Sequence, residues 1–132
     1  MKTTKIKDLM TRNIVSMNIN DTVDKITLEM TEKKVGSVFI YDKNDFIGLV
    51  TKRDLLEKVI LDCLNPCKVI AKEIIMKNPI MISKEDYIPN CLKLMHKHKI
   101  KRLPVIDPDN DNIVGIITSY DIIAAFNELE LS

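Results

Sequence analysis

The sequence predicts an α/β (α+β) protein made of two copies of one β-α-β-β-α unit. Three observations predict it. The chain aligns with itself at an offset of 65 residues, and each copy follows an amphipathic helical stretch with two short apolar runs around a polar turn. The segments GLVTKRD (48–54) and GIITSYD (115–121) also repeat Gly, two aliphatics, Thr, two variable residues and Asp.

The alignment is spread along the whole chain. Lys7 falls on Lys72, Asn13 on Asn78, Asp21 on Asp86, Met30 on Met95, Lys34 on Lys99 and Asp42 on Asp107. A two-residue insertion in DPDNDN (107–112) moves the offset to 67, which brings Gly48, Thr51 and Asp54 onto Gly115, Thr118 and Asp121.

Each copy opens with a short helical turn and an extended apolar stretch, DLMTRNIVSM (8–17) and EIIMKNPIMI (73–82). A helix follows, expected over 22–34 and 87–99. Val23, Ile26 and Met30 recur three and four apart in the first copy, as do Ile88, Cys91, Leu92 and Met95 in the second. The runs VFIY (38–41) and FIGLV (46–50), around DKND, read as a hairpin, and LPVI (103–106) and IVGII (113–117) as its counterpart. A closing helix is expected over 54–64, carrying Leu55, Leu56, Val59, Ile60 and Cys63, and over 121–129, carrying Ile122, Ile123, Phe126 and Leu129.

The expected boundaries are a first repeat at 5–64, a linker at 65–70 in which Pro66 stops the helix, and a second repeat at 71–129. A unit of about 60 residues buries only about 60% of its unfolded surface, which is marginal alone. The halves are therefore expected to pack on each other.

With 132 residues, 45% hydrophobic and 30% charged, the composition is that of a soluble globular protein. Lys and Arg number 20 against 19 Asp and Glu, for a net charge of +1. Such a balance provides no global field for nucleic acid, an acidic substrate or a membrane, so a charged ligand must be held by local groups. No apolar run approaches the roughly 20 residues of a membrane span, and MKTTKIKDLM lacks the apolar core of a secretory leader. The expected location is cytoplasmic, with reduced, buried thiols at Cys63, Cys67 and Cys91.

Taken with DLMTRN, EIIMKNP and KIKRLPVID (99–107), the two Gly-φ-φ-Thr-x-x-Asp segments (φ apolar) resemble a tandem pair of cystathionine-β-synthase (CBS) domains, a Bateman module, over roughly residues 5–127. The resemblance implies a pseudo-twofold module whose clefts between the repeats hold AMP, ADP, ATP or S-adenosylmethionine, with no covalently bound cofactor. It also implies an energy or metabolite sensor that performs no chemistry, dimerises as a disc, and regulates a partner protein in trans. The homodimer is expected through helices 22–34 and 87–99.

The repeated segment suits such a ligand. One ionised carboxylate offers two acceptor oxygens to the neighbouring hydroxyls of a ribose, which Asp54 and Asp121 could supply. Thr51 and Thr118 stand where a strand gives way to a helix, a place for a phosphate. Gly48 and Gly115 keep the strand narrow, for close approach of a ligand. Thr-x-x-Asp is equally a capping box, and the two roles are compatible.

For the phosphates, the resemblance places basic residues just before the first hairpin strand. Lys101 and Arg102 stand there in the second copy, Gly36 and Ser37 in the first, so the clefts are unequal. Arg53 could compensate in the first; Tyr120 takes its place in the second. The resemblance sets adenine near Ile14 to Ser16 for the Asp121 cleft and near Ile80 for the Asp54 cleft. Lys97, His98 and Lys99 in HKHKIKR (96–102) suit a solvated helix end.

No metal site is expected, because His96 and His98 are two apart on a helix and Cys63-x-x-x-Cys67 has no second pair. No nucleophile stands beside a positioned base in a known catalytic motif, so an enzyme is not expected. The alternatives are a nucleic-acid binder using the basic 97–102 segment and a purely structural dimerisation module.

Overall fold

The computed structural model describes residues 2–131, with side chains described as far as residue 128. It contains two compact units. One is the stretch Ile14–Pro79; the other joins the chain up to Asn13 with the chain from Ile80 onward. They are called here the Asp54 unit and the Asp121 unit.

In chain order the elements are α1 (Ile6–Leu9), β1 (Ser16–Asn18), α2 (Val23–Lys33), β2 (Ser37–Asp42), β3 (Asp45–Thr51) and α3 (Lys52–Leu55), followed by a π-helical turn at Leu56–Ile60. Then come α4 (Ala71–Ile74), β4 (Met76–Lys77), β5 (Ile82–Ser83), α5 (Ile88–His98), β6 (Arg102–Ile106), β7 (Ile113–Thr118) and α6 (Ser119–Leu131). Leaving out the opening helical turn of each repeat and the two-residue β4, the order is the expected β-α-β-β-α, twice. Leu129, assigned to the closing helix face, lies outside the residues whose side chains are described.

The Asp54 unit contains a sheet ordered β1-β2-β3-β4, in which β1 runs parallel to β2, and β3 is antiparallel to both β2 and β4. Helix α2 buries Val23, Ile26 and Met30, the residues spaced three and four apart, and ends at Lys34 in the left-handed conformation. Lys99 closes α5 in the same way, which accounts for one of the identities between repeats. In the Asp121 unit β5 runs parallel to β6, and β6 pairs antiparallel with β7.

Each unit takes its opening helix from the other repeat. Ile6, fully buried, packs in a core with Ile82, Ile88, Cys91, Leu103 and Ile117, and Ala71 and Ile74 pack with Val23, Ile26, Val38 and Val50. The backbone repeats the exchange. The Ile6 N–H donates to the Asp86 carbonyl at 2.9 Å and the Ala71 N–H to the Asp21 carbonyl at 2.9 Å. Strand β4 lies on the edge of β3, and Thr11 bridges to Ile116 of β7 at the equivalent place. Enclosing one aliphatic side chain contributes about 1.5–3 kcal/mol, so each opening helix is held firmly by its unit.

Two expectations need correction. The helix expected over 54–64 begins at Lys52, because Thr51 caps it, and widens into the π turn; residues 61–63 form a turn, with Cys63 left-handed at φ 56°. Only Leu55 and Val59 of its apolar residues are buried, whereas Leu56, Ile60, Leu61 and Leu64 are exposed. The cysteines also divide: Cys91 is buried, but Cys63 and Cys67 are exposed because they flank the surface turn at Pro66. Among the described residues, no helix is long and apolar enough to cross a membrane.

Candidate functional site

Both Thr-x-x-Asp segments fold as capping boxes. In the Asp54 unit, the Thr51 hydroxyl accepts from the Asp54 N–H at 3.2 Å, and Oδ2 of Asp54 accepts the Thr51 N–H at 2.9 Å. In the Asp121 unit, the Thr118 hydroxyl accepts from the Asp121 N–H at 3.1 Å, and Oδ2 of Asp121 accepts the Thr118 N–H at 3.0 Å. The reciprocal bonds satisfy backbone donors that the first helical turn leaves without partners. They also fix each carboxylate at the junction of strand and helix.

The two carboxylates differ in what else they hold. Oδ1 of Asp121 accepts a hydrogen bond from the uncharged Thr11 hydroxyl at 3.1 Å, and the residue is half-buried. Asp54 is 5% exposed. Its Oδ2 accepts a second bond, from the Thr51 hydroxyl at 3.1 Å, and its Oδ1 pairs with the Lys58 ammonium at 3.1 Å. An ionised carboxylate has about four acceptor positions. Asp54 uses three of them on the protein, and Asp121 uses two.

The surroundings differ in charge in the expected direction. Across β6 and β7, Arg102 is paired with Thr118, and the Lys101 carbonyl accepts the Ser119 N–H at 2.8 Å. The matching positions in the Asp54 unit are Ser37, paired with Thr51, and Gly36, whose carbonyl accepts the Lys52 N–H at 3.1 Å. Thus the Asp121 unit brings Thr118, Asp121, Lys101 and Arg102 together, while the Asp54 unit has a buried Ser37 and a glycine in place of the cations. Lys101 is exposed; Arg102 is half-buried, and its burial lowers the guanidinium pKa.

Arg53 does not stand free. Its Nε donates to Glu57 one turn along at 2.7 Å on an exposed surface, and this bond raises its pKa. Tyr120, its counterpart, is exposed. Ile14 and Ser16 belong to the Asp54 unit and Ile80 to the Asp121 unit, so each of the expected adenine contacts sits in the unit that does not hold its carboxylate.

The glycines have a structural cause. A Cβ on Gly48 would stand 2.1 Å from the Met76 carbonyl oxygen, and one on Gly115 would stand 2.7 Å from the Thr11 carbonyl oxygen. Close approach is needed, as the sequence suggests, but by the exchanged backbone of the same unit. Sequence reasoning missed Thr11 and Lys58. Lys58 carries a legible signal, its position four residues after Asp54 on a helix. Thr11 carries none, because its partner is 110 residues away.

Compared with known proteins, the chain matches the family model described as "CBS domain" twice, at residues 6–61 and 71–128. It is 36% identical over 125 residues to an uncharacterised protein of Methanopyrus kandleri, covering 93% of this chain and 63% of that relative's length. Among solved structures, an uncharacterised conserved protein from Pyrococcus horikoshii superposes with a TM-score of 0.89 at 25% identity, over 96% of this chain and 94% of the other. The CBS domain pair of protein MJ0100, in complex with 5′-methylthioadenosine and S-adenosyl-L-methionine, shares the fold with a TM-score of 0.83 at 23% identity, over 95% and 97% of the two chains.

Proposed function

The chain belongs to the CBS-domain family as a tandem pair, and from that premise we propose that it is a regulatory module binding an adenosine-type ligand at the carboxylate of Asp121. The observation that carries the reading is the state of this carboxylate. It is fixed by a capping box, half-buried, and held on its other oxygen only by the neutral Thr11 hydroxyl. None of the ion pairs among the described residues involves it. A ribose diol supplies two donors to such an acceptor, in charge-assisted bonds stronger than neutral ones.

Thr118, Lys101 and Arg102 are assigned to the phosphate of a nucleotide, or to the polar tail of another adenosine derivative. AMP, ADP, ATP and S-adenosylmethionine share the ribose that Asp121 would meet. A module of the same fold holds 5′-methylthioadenosine and S-adenosyl-L-methionine, which supports the ligand class. The role is to sense the ligand for a partner protein rather than to transform it.

The reading includes a homodimer through α2 and α5, together with exposed apolar groups elsewhere in the chain. Val23, Ile26 and Met30 of α2 and Ile88, Cys91 and Met95 of α5 are spent on their own cores, whereas Leu28 and Leu92, the latter expected on the apolar face of α5, stand exposed. Further exposed apolar groups are Leu56, Ile60, Leu61 and Leu64 after α3, and Ile123 and Phe126 on α6. Between α2 and the π turn lies an apolar groove of about 550 Å³, with Met30, Leu55, Val59 and Pro66 in its wall. Exposed apolar surface of this kind is usually covered in an assembly.

A thermal-shift panel of AMP, ADP, ATP, S-adenosylmethionine and 5′-methylthioadenosine tests the ligand class. A ligand at 100 times its Kd adds roughly 2.7 kcal/mol of stability. The expected result is a raised Tm with at least one of them, lost in Asp121→Ala. No shift with any of the five contradicts the reading.

A further inference from the structure

We propose that Lys58 is a built-in occupant of the Asp54 carboxylate, so that the chain takes one adenosine-type ligand, at Asp121, rather than one per repeat. The inference rests on the ligand reading above and adds to it a determinant of stoichiometry.

The argument comes from matching the two carboxylates bond by bond. Each gives Oδ2 to the N–H of its capping threonine. Each gives Oδ1 to one further donor at 3.1 Å, and here they part: a hydroxyl from Thr11 at Asp121, an ammonium from Lys58 at Asp54. The position of Thr11 is taken in the other repeat by Met76, which has no proton to donate, and the position of Lys58 is taken by Ala125. The two units have therefore solved the same acceptor problem with different donors.

The donors yield differently to a diol. A threonine hydroxyl carries no charge, so it rotates away and yields its place to another hydroxyl without stranding a counter-charge. The Lys58 ammonium neutralises a carboxylate that is 7% exposed, and it also donates to the Ile74 carbonyl at 3.0 Å. A ribose hydroxyl entering at Asp54 would put an uncharged donor in place of an ammonium and leave the buried carboxylate without its counter-charge, while the lysine side chain itself is 42% exposed. The Thr51 hydroxyl on Oδ2 and the absence of a basic residue at Gly36 and Ser37 act in the same direction.

Titration calorimetry with AMP and with S-adenosylmethionine as probes tests this. The expected stoichiometry is one per chain in the unmodified protein and two in Lys58→Met, with Lys58→Gln as a second variant should the first unfold. In Lys58→Met combined with Asp121→Ala, one site remains and belongs to Asp54. Conversely, Ala125→Lys places an ammonium four residues after Asp121 and should weaken binding there by about tenfold or more, the worth of one charged hydrogen bond. Two sites in the unmodified protein, or a single site in folded Lys58→Met and Lys58→Gln, overturn the inference and leave the ligand reading intact. No heat with either probe refutes the ligand reading itself, and this inference with it.

Discussion

The hydroxyl of Thr11 donates to the carboxylate of Asp121 at 3.1 Å, across 110 residues of sequence. This bond ties the opening segment of the first repeat to the capping box of the second, within one compact unit. A hydrogen bond to a charged group contributes about 1.5–3 kcal/mol. A double-mutant cycle of Thr11→Val and Asp121→Asn, read by urea unfolding, is expected to show a coupling of about that size. Strict additivity would show that the bond contributes nothing.

The close backbone approaches predict an order of damage. Gly48→Ala drives a methyl against the Met76 carbonyl, a backbone atom, at 2.1 Å, whereas Gly115→Ala meets the Thr11 carbonyl at 2.7 Å. Overpacking of this kind costs typically about 1–3 kcal/mol, and Gly48→Ala should stand at or above the upper end. Chemical denaturation of the two variants checks the order.

The thiols should react in two classes. Cys63 and Cys67 are exposed, while burial first, and then the nearby Asp86 charge, push the Cys91 thiol up to about 11. Since the thiolate is the reactive form, alkylation at pH 8 followed by mass spectrometry should label Cys63 and Cys67 rapidly and Cys91 only on unfolding. Rapid labelling of Cys91 in the folded protein would contradict its placement in the core.

Stability on the acid side should depend on Glu85. Its carboxylate takes Lys5 at 2.8 Å and Lys7 at 3.1 Å, and these hydrogen bonds hold its pKa below the ordinary 4.5. The folded pKa is the lower one, so the stabilisation is present above about the ordinary value and is lost as pH falls through the folded value. Replacing Glu85 by Gln should therefore reduce the fall in Tm below pH 4.5, relative to the unmodified protein.

The repeat, its elements and the inequality of the two carboxylate sites were legible in sequence, because period, turn residues and the offset of 65 to 67 mark them directly. The exchange of opening segments was not. Ile6 and Ala71, or Leu9 and Ile74, are equivalent small or aliphatic residues, and either would satisfy either core, so no pattern distinguishes the pairing. The glycines announced a close approach without naming what approaches. The roles of Thr11 and Lys58 depend on that same pairing and on which donor reaches a carboxylate. Exposure of Leu56, Ile60 and Cys63 followed from a π turn and an early helix end that helical periodicity does not foresee.

The central claim is that Asp121 holds the ligand while Asp54 serves the fold. It is tested most directly by titrating AMP or S-adenosylmethionine, whichever the thermal panel selects, into the unmodified protein, Asp121→Ala and Asp54→Ala, each with its unfolding curve. Asp121→Ala should weaken binding by roughly ten- to a hundredfold, the worth of a charged hydrogen bond of about 1.5–3 kcal/mol. Asp54→Ala should keep the affinity within about threefold and instead lose about 0.5–2 kcal/mol of stability or more, with its cap and its ion pair. Unchanged affinity in Asp121→Ala, with the loss falling on Asp54→Ala, would contradict the account.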